Sequence, residues 1–492
     1  MGAGSRRSIL RSTSPLRVSQ GAAARLVLPV TRIAIEHGLV LTMDPAGRVI
    51  EDGRVVVEGR DIVAVARCTA DPVPDCDLVI DATGRIVLPG LVNAHTHLCM
   101  VFGRTIGPER RLLDWLDLLM PLMAAMDEEA LYLAELLGCV ENIKNGNTSL
   151  VENIFMPPHA TADPEDAAFR AIRDSGIRGT VARATESRLF DPRFCETGAE
   201  QARRVGRLAG CWHGSDGGRL RLSIGPLLPW VLDERGLRET RRIARDNGLS
   251  LHMHVAESPE FNQLIARHFG RNIRQVELLE EVGCLGPDVQ AVACSDLSPH
   301  EIGLLAASGT AVLFDPPTRL FWGTGFPPVA DFLTAGVTCG LATNGAAANC
   351  GQDIFESMKY ACATAKTAAN DPRALTAARA LRMATTEGAR AIGQPETGSI
   401  EVGKRADLIT VEARQPHLVP LFDPEKALVY SARGGDVRDA VIDGRLVMRD
   451  RRILTVDENA LLVVAEQAAR RCAAGAGLTL PAALMMRDSS HA

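Results

Sequence analysis

Two histidines placed two residues apart are the first candidates for chemistry in this chain. His95 and His97 lie in the segment NAHTHL, which belongs to a short apolar run typical of a buried strand. Side chains at alternate positions of a strand point to the same face, so the two imidazoles are expected to converge. Two neutral imidazoles on one face suit a divalent transition metal such as zinc. The alternative is that both are structural histidines.

A second segment, LHMHVAE, repeats this arrangement. His252 and His254 share one face of a predicted strand, and Glu257 follows three residues after His254, past the strand end. A carboxylate in that place can act as general acid or base on a substrate held over a metal. For His252 alone we favour a packed, hydrogen-bonded histidine, whereas His254 and Glu257 together indicate function.

Both histidine segments belong to a series of eight short apolar runs that alternate with helical stretches. Such alternation predicts parallel strands with intervening helices, and the count favours a (β/α)8 barrel of the TIM type over an open sheet. Active sites of these barrels lie at the C-terminal ends of the strands, where the polar residues of this chain cluster. The eight runs are residues 91–98, 148–153, 179–185, 220–226, 249–257, 289–295, 310–317 and 337–344.

Both ends of the chain have a different, β-rich pattern. Val and Ile runs joined by short turns fill the regions near residues 53–90 and 404–450. We therefore predict one small β-sandwich completed by both chain ends, followed by a helix with Thr455 and Glu458 as its capping box. The predicted divisions are 1–31 as a disordered or non-native extension, 32–90 as the first part of the sandwich, 91–395 as the barrel, 396–455 as the second part of the sandwich, and 456–492 as the helix and tail.

The composition restricts the kinds of partner. A formal net charge of −6 gives no electrostatic reason to expect nucleic acid or an anionic membrane as a partner. No apolar run approaches the roughly 18 uncharged residues that a membrane span needs. The twelve cysteines are scattered without close pairs, which favours reduced thiols in a cytoplasm over a disulfide framework.

Four longer segments, VLPGLVNAHTHL, HMHVAES, ETGSIEVGKRADLITV and DVRDAVIDGRLV, resemble the amidohydrolase superfamily. The nearest branch is that of the triazine hydrolases and the S-adenosylhomocysteine and methylthioadenosine deaminases. The resemblance implies a metal-bearing (β/α)8 barrel with a small β-sandwich from both chain ends. It also implies that His95, His97 and His254 bind one divalent ion, zinc or alternatively iron. Glu257 would then shuttle a proton to the substrate.

The chain departs from the family pattern at several site positions. Ala293 takes the place of the usual histidine after strand six, and Asn344 takes the place of the usual aspartate after strand eight. An amide binds metal more weakly than a carboxylate and cannot act as a base. Asp315 and Arg319, near the end of strand seven, are further departures, and with Asn344 they are candidate substrate contacts. Asp315 or Asp296 could supply the missing carboxylate.

These observations support two competing hypotheses. The first is a metal-dependent hydrolase or deaminase that acts on a C–N or C–halogen bond of a small heterocycle or amidine, with altered chemistry. The second is a catalytically silent paralogue that acts as a binding or partner subunit. An unrelated barrel with structural histidines conflicts with the combination of motifs.

The resemblance also gives expectations about the pocket and the assembly. In this branch the segment after strand one helps to cover the pocket, which makes Arg104 and Trp115 candidate substrate contacts. Packing between helices explains Trp115 equally well. The expected partners are a small-molecule substrate and further copies of the chain in a homo-oligomer of two or more subunits.

Overall fold

A computed structural model of the chain describes residues 31–68, 75–107, 109–157, 164–187 and 192–479. The predicted extension, residues 1–31, lies outside the described residues except for Thr31, and so does the tail from residue 480 onward. The strands, numbered in chain order, are β1 (Arg32–Leu41), β2 (Val49–Glu58), β3 (Asp61–Arg67), β4 (Leu78–Asp81), β5 (Arg85–Pro89), β6 (Leu91–Thr96), β7 (Asn147–Ile154), β8 (Arg178–Thr185), β9 (Leu220–Pro226), β10 (Ser250–Val255), β11 (Val289–Ala293), β12 (Ala311–Phe314), β13 (Cys339–Leu341), β14 (Leu408–Glu412), β15 (Val437–Ile442), β16 (Arg445–Arg449) and β17 (Arg452–Ile453).

The α-helices lie mostly between the barrel strands. Short 3-10 helices occur at Leu98–Gly103, Pro192–Phe194, Pro229–Val231 and Gly434–Asp436. The α-helices are α1 (Leu112–Ala124), α2 (Glu128–Lys144), α3 (Pro164–Ser175), α4 (Gly198–Trp212), α5 (Ser215–Gly218), α6 (Glu234–Asp246), α7 (Pro259–Phe269), α8 (Gln275–Glu281), α9 (Pro299–Ser308), α10 (Pro316–Trp322), α11 (Val329–Ala335), α12 (Ala346–Asn349), α13 (Ile354–Ala369), α14 (Ala377–Met383), α15 (Thr386–Ala391), α16 (Pro424–Tyr430) and α17 (Glu458–Gly475).

Strands β6 to β13 form an eight-stranded parallel sheet in chain order. The first and last strands of this sheet meet, which closes it into a barrel. The N–H of Asn344, just after β13, donates to the carbonyl oxygen of His95 on β6 at 3.0 Å. Every residue of β7 and of β11 is buried, as expected for parallel strands covered on both faces. The predicted (β/α)8 barrel is confirmed, and each of the eight predicted runs overlaps one of its strands.

The remaining nine strands form a second, mostly antiparallel sheet from both ends of the chain. Its two parts meet where β5 pairs with β14, in a register that places Leu88 opposite Ile409. Apolar side chains from both parts share one core, which includes Ile35, Val57 and Leu408. The prediction that the two chain ends complete one small β domain is therefore confirmed.

A buried ion-pair cluster holds the small sheet against the barrel. Arg178, at the start of β8, donates from Nε to Asp407 at 2.7 Å and from Nη2 to Asp443 at 2.8 Å. The side chains of all three residues are at most 2% exposed. Removing one partner from such a cluster leaves a buried charge uncompensated, at a cost of about 3–5 kcal/mol.

Helix α17 differs in one detail from the sequence prediction. Its N-cap is Asp457, whose carboxylate accepts from the N–H of Ala460. The predicted capping residue, Thr455, instead donates its hydroxyl to the carbonyl oxygen of Ser175 at 2.7 Å. The capping-box prediction was wrong because an aspartate nearer the helix makes the cap and Thr455 is used in a tertiary contact.

All twelve cysteines are free thiols, and seven of them are buried. Buried free cysteines usually behave as small apolar residues. Among the described helices, none has the length and apolar character needed to cross a membrane.

Candidate functional site

The structure brings His95, His97 and His254 together at the C-terminal ends of β6 and β10. Their ring centroids are 4.7 Å apart for His95 and His97, 4.7 Å for His95 and His254, and 5.4 Å for His97 and His254. One ligand nitrogen from each ring lies within 4.8 Å of the other two. All three residues are at most 5% exposed. The rings therefore surround one point inside the barrel mouth.

Hydrogen bonds to main-chain carbonyls orient two of these rings. His97 Nδ1 is 2.6 Å from the oxygen of Asn153, and His254 Nδ1 is 3.1 Å from the oxygen of Leu227. A carbonyl oxygen can only accept, so each Nδ1 carries the proton and each Nε2 keeps its lone pair. Both rings are thus held in the tautomer that presents Nε2 to a metal.

A side-chain relay orients the third ring. His95 Nδ1 is 2.8 Å from His252 Nε2, and His252 Nδ1 is 2.8 Å from Oε1 of Gln290. Since the amide oxygen accepts, His252 donates from Nδ1 and accepts at Nε2, which makes His95 the donor at Nδ1. The remaining nitrogen, His95 Nε2, is buried and has no hydrogen-bond partner among the described residues. His252 is therefore a packed, hydrogen-bonded residue that positions His95.

The protonation state of the rings fits a metal centre. Burial lowers the pKa of His95 and His97 well below the usual 6.5, and the neighbouring imidazoles lower it further. Burial likewise lowers the pKa of His252 to about 4. These imidazoles are neutral at pH 7, the form in which histidine binds a metal. Three converging Nε2 lone pairs, one of them an orphaned buried atom, fit a single divalent transition ion.

Arg319 bridges two carboxylates beside the histidines. Its Nη2 is 3.1 Å from Oε1 of Glu257 and 3.0 Å from Oδ2 of Asp315. Asp315 is the N-cap of α10 and Arg319 lies one turn later, so the two side chains share a helix face. Both are fully buried. Burial alone would lower the pKa of Arg319, but Asp315 and then Glu257 reverse this effect and raise it.

Glu257 is placed by the transition from β10 to α7. It directly precedes Ser258, whose hydroxyl oxygen accepts from the N–H of Phe261 as the helix N-cap. Glu257 is 4% exposed. Its Oε1 accepts from Arg319, and among the described residues no hydrogen bond reaches its Oε2. One carboxylate oxygen is thus fixed by an ion pair while the other remains available to a substrate.

Both polar atoms of the Asn344 amide are engaged inside the protein. Its Nδ2 donates to Oδ2 of Asp315 at 2.8 Å, and its Oδ1 accepts from the N–H of Gly345 at 2.7 Å. The backbone is left-handed, with φ of 63°, a conformation that asparagine tolerates well. An aspartate here would place a second carboxylate within hydrogen-bond distance of Asp315. The amide therefore serves as a neutral partner of Asp315.

The end of β11 supplies no replacement for the missing histidine. Ala293 is fully buried, with φ of 77°, and a methyl group cannot bind a metal. Cys294 is also buried, and burial raises the pKa of its thiol well above the usual value. Asp296 accepts from Asn262 Nδ2 at 2.7 Å and pairs with Arg274 at 3.3 Å. Among the described residues Asp296 does not belong to the group whose ligand atoms lie within 4.8 Å of one another around the three histidines, so a role for Asp296 as the substitute carboxylate stays a prediction.

Arg104 and Trp115 contact helices and loops of the barrel mouth. Arg104 forms an ion pair with Glu141 of α2, and about a third of its side chain is exposed. The indole Nε1 of Trp115 donates to the oxygen of Ala347 at 3.0 Å, and its ring meets that of Trp322 edge to face at 5.2 Å. Trp115 is 4% exposed. The packing interpretation accounts for its described contacts.

The groups that orient the three rings were not predicted from the sequence. Asn153 and Leu227 act through main-chain oxygens, which leave no signal in the residue type. Gln290 could have been found, because it is the only polar residue of the buried strand segment VQAVA. A buried amide needs a partner, and the parallel register places Gln290 opposite His252.

The fold and this geometry agree with comparisons to known proteins. The sequence profile of the Amidohydrolase family matches residues 86–447. The chain belongs to the amidohydrolase family. The match includes both histidine segments and all eight barrel strands, so the family predicted from the sequence motifs is confirmed.

Individual relatives in this family are named as deaminases. The 5'-deoxyadenosine deaminase of Methanosarcina mazei is 35% identical over 443 residues, 90% of this chain and 98% of the relative. A 5-methylthioadenosine/S-adenosylhomocysteine deaminase of Syntrophobacter fumaroxidans is 35% identical over 436 residues, 86% of this chain and 94% of the relative. The crystal structure of a zinc-bound adenosine deaminase from Xanthomonas campestris superposes with a TM-score of 0.83 at 29% identity, covering 90% of this chain and 98% of that one.

Proposed function

We propose that this amidohydrolase removes the amino group of an adenine-type nucleoside by hydrolysis at a single divalent metal, zinc being the expected ion. The observation that carries the proposal is the set of three Nε2 lone pairs, from His95, His97 and His254, that face one another with every Nδ1 hydrogen-bonded. The names of the relatives supply the substrate class. A divalent ion in this position supplies Lewis acidity, which makes water a better nucleophile at neutral pH.

In the proposed reaction the chain itself moves a proton. Hydrolytic deamination forms a bond between the water oxygen and the ring carbon, breaks the C–N bond and releases ammonia. Glu257 is the proposed proton carrier, because its Oε2 has no described partner and lies past the end of the strand that carries His254. It would transfer a proton to a ring nitrogen and so make the adjacent carbon more electrophilic.

Asp315 is the proposed substitute for the negative charge that position 344 does not carry. Its Oδ2 accepts a hydrogen bond from Asn344, so this carboxylate lies directly beside position 344, where the family pattern has an aspartate. Its Oδ1 is buried, and within the described part of the chain it has no hydrogen-bond partner. Asp315 is not among the residues whose ligand atoms lie within 4.8 Å of the histidine nitrogens. We therefore assign it an electrostatic role and not that of a metal ligand.

A silent binding subunit is the second candidate function, and specific contacts favour it. Arg319 engages both Glu257 and Asp315, and Asn344 cannot accept a proton as a base does. Losing a general base can cost roughly 10²–10⁴-fold in rate. In this hypothesis the pocket binds a small molecule without turnover.

Metal content and ammonia release test the proposal together. The purified protein is analysed for bound metal and then incubated with a panel of adenine nucleosides. We expect one zinc per chain and measurable ammonia release, both lost in His254→Gln. His300→Gln changes an exposed histidine on α9 and serves as the matched control. Absence of metal after zinc-replete growth would refute the proposal, and one metal without turnover would favour the binding subunit.

A further inference from the structure

A second group of side chains with metal-binding atoms lies on the small sheet. His37, Asp52 and Cys68 each offer one ligand atom, and these three atoms lie within 4.8 Å of one another. His37 belongs to β1, Asp52 belongs to β2, and Cys68 directly follows β3. Imidazole nitrogen, carboxylate oxygen and thiolate sulfur are the donor types that zinc takes in proteins. The group therefore has the chemistry of a zinc site.

The pairing of the three strands brings these side chains together. The N–H of Cys68 donates to the carbonyl oxygen of Asp52 at 2.8 Å, which continues the antiparallel pairing of β2 with β3 by one residue. Between β1 and β2 the register shifts, so that Glu36 and His37 of β1 face the single residue Arg54 of β2. A bulge of this kind redirects the side chain of the extra residue. It allows His37 to reach the end of the strand pair that carries the other two ligands.

The sulfur is held beside an imidazole–carboxylate pair. His37 Nδ1 is 2.8 Å from Oδ1 of Asp52, and the N–H of His37 donates to Sγ of Cys68 at 3.4 Å. Burial raises the pKa of the Cys68 thiol, and the hydrogen bond from His37 partly opposes this effect. His37 and Asp52 both have left-handed backbone, with φ of 62° and 48°. Such conformations cluster at ligand-binding positions.

The charges of the group suit a divalent cation. A carboxylate and a thiolate together balance the two positive charges of zinc, and a neutral imidazole adds none. Arg54 donates to the main-chain oxygen of Cys68 at 3.4 Å, but its Nε lies 2.6 Å from a carboxylate oxygen of Glu36. Without a metal, His37 and Asp52 form only an exposed ion pair, which contributes about 0–1 kcal/mol. That interpretation gives no reason for a thiol at the same point.

We propose that His37, Asp52 and Cys68 bind a second zinc ion, which joins three neighbouring strands of the small sheet. Strand β3 is the edge strand in the described part of this sheet, so the ion fixes the end of an edge strand to β1 and β2. Three protein ligands leave one position of tetrahedral zinc to water. Because the side chains of His37 and Asp52 are about half exposed, this ion exchanges with solvent and is removed by dialysis. The purified protein then retains only the ion of the barrel.

Cobalt spectroscopy tests the site directly. The dialysed protein is titrated with Co²⁺, which gives a near-ultraviolet charge-transfer band when it is bound by a thiolate. The three barrel histidines supply only nitrogen, so this test does not depend on the proposed function. We expect the band in the wild type and its loss in Cys68→Ala, while Cys211→Ala, which removes an exposed thiol on α4, should retain it. No band in the wild type, or an equal band in Cys68→Ala, would overturn the site.

The other two ligands are tested by variants that suit the local backbone. His37→Asn and Asp52→Asn each remove one ligand and introduce a residue that tolerates the left-handed conformation. Each should bind cobalt at least about 10-fold more weakly, because loss of even an outer partner of a metal ligand has an effect of this size. Glu51→Gln removes a neighbouring exposed charge and is the matched control. Unchanged cobalt affinity in either asparagine variant would overturn the three-ligand site.

The link between the strands is tested by thermal denaturation. In His254→Gln the barrel site lacks one ligand, so stabilisation by added zinc reports mainly on the small sheet. We expect zinc to raise the melting temperature of His254→Gln and to have no such effect when Cys68→Ala is added to it. An equal rise in both proteins, or no rise in His254→Gln, would overturn the proposal that zinc joins these strands.

Discussion

Replacing Arg319 by methionine should destabilise the folded protein strongly, because two carboxylates depend on its charge. Glu257 is 4% exposed and Asp315 is fully buried, and Arg319 Nη2 lies within 3.1 Å of both. Breaking a buried ion pair costs about 3–5 kcal/mol. Asp315 retains its bond from Asn344, so we expect a loss within this range and not twice as large.

The loss of stability in Arg319→Met should also depend on pH. Without the guanidinium, a buried carboxylate avoids its desolvation cost by binding a proton. The folded variant then holds more protons than the unfolded chain at neutral pH, so its stability falls as the pH rises. The difference in unfolding free energy between variant and wild type should therefore be smaller near pH 5 than near pH 8.

Urea unfolding of chelator-treated protein at both pH values measures this difference without a contribution from bound metal. Arg319→Lys retains the charge and should lose less stability than Arg319→Met. Arg271→Met is the matched control, because Arg271 forms exposed ion pairs with Glu234 and Glu281. Exposed pairs contribute about 0–1 kcal/mol. If Arg319→Met lost no more unfolding free energy than Arg271→Met, or lost the same amount at both pH values, Arg319 would not be the compensating charge.

Three further predictions concern the groups around the histidines. Asn344→Asp combined with Ala293→His should raise zinc affinity in a chelator competition and increase ammonia release, and unchanged zinc affinity would contradict this. Gln290→Leu removes the acceptor that orients His252 and, through it, His95, and this variant should bind zinc roughly 10- to 100-fold more weakly. Gln290→Glu retains an acceptor and should therefore keep more of the zinc affinity. Burial raises the pKa of Glu135 and raises that of Glu152 to about 8. The folded state therefore binds more protons than the unfolded chain, and its melting temperature should fall as the pH rises from about 5 to 8. Glu135→Gln should make this fall of the melting temperature shallower.

The fold was largely predictable because it depends on patterns that are local in sequence. Each barrel strand is a short apolar run bounded by polar or turn residues, and parallel strands buried on both faces have this appearance. The HxH spacing predicts convergence of His95 and His97 because side chains alternate along a strand. Their meeting with His254 depends on barrel closure, which the count of eight runs predicts. Thr455 shows the limit of local patterns, since its tertiary contact with Ser175 prevents its use as a cap.

The charge arrangement beside the histidines could not be predicted from local sequence patterns. Its residues come from different barrel strands, and the role of each depends on its contacts with the others. Asn344 taken alone looks like the loss of a functional aspartate. In the structure its amide donates to Asp315, which in turn shares Arg319 with Glu257. Three of the four departures from the family pattern, Asn344, Asp315 and Arg319, thus form one connected arrangement, in which the carboxylate lies at position 315 and pairs with a cation.

This arrangement explains why restoring the family aspartate should have opposite effects with and without metal. In Asn344→Asp a second carboxylate would face Asp315 across the 2.8 Å now spanned by a hydrogen bond. Without metal, the like charges would lower stability unless one of them bound a proton. With a divalent ion held by the nearby histidines, the added charge would instead be compensated and would strengthen binding. The stabilisation of Asn344→Asp by zinc should therefore exceed that of the wild type, and an equal or smaller stabilisation would mean that position 344 does not face the metal.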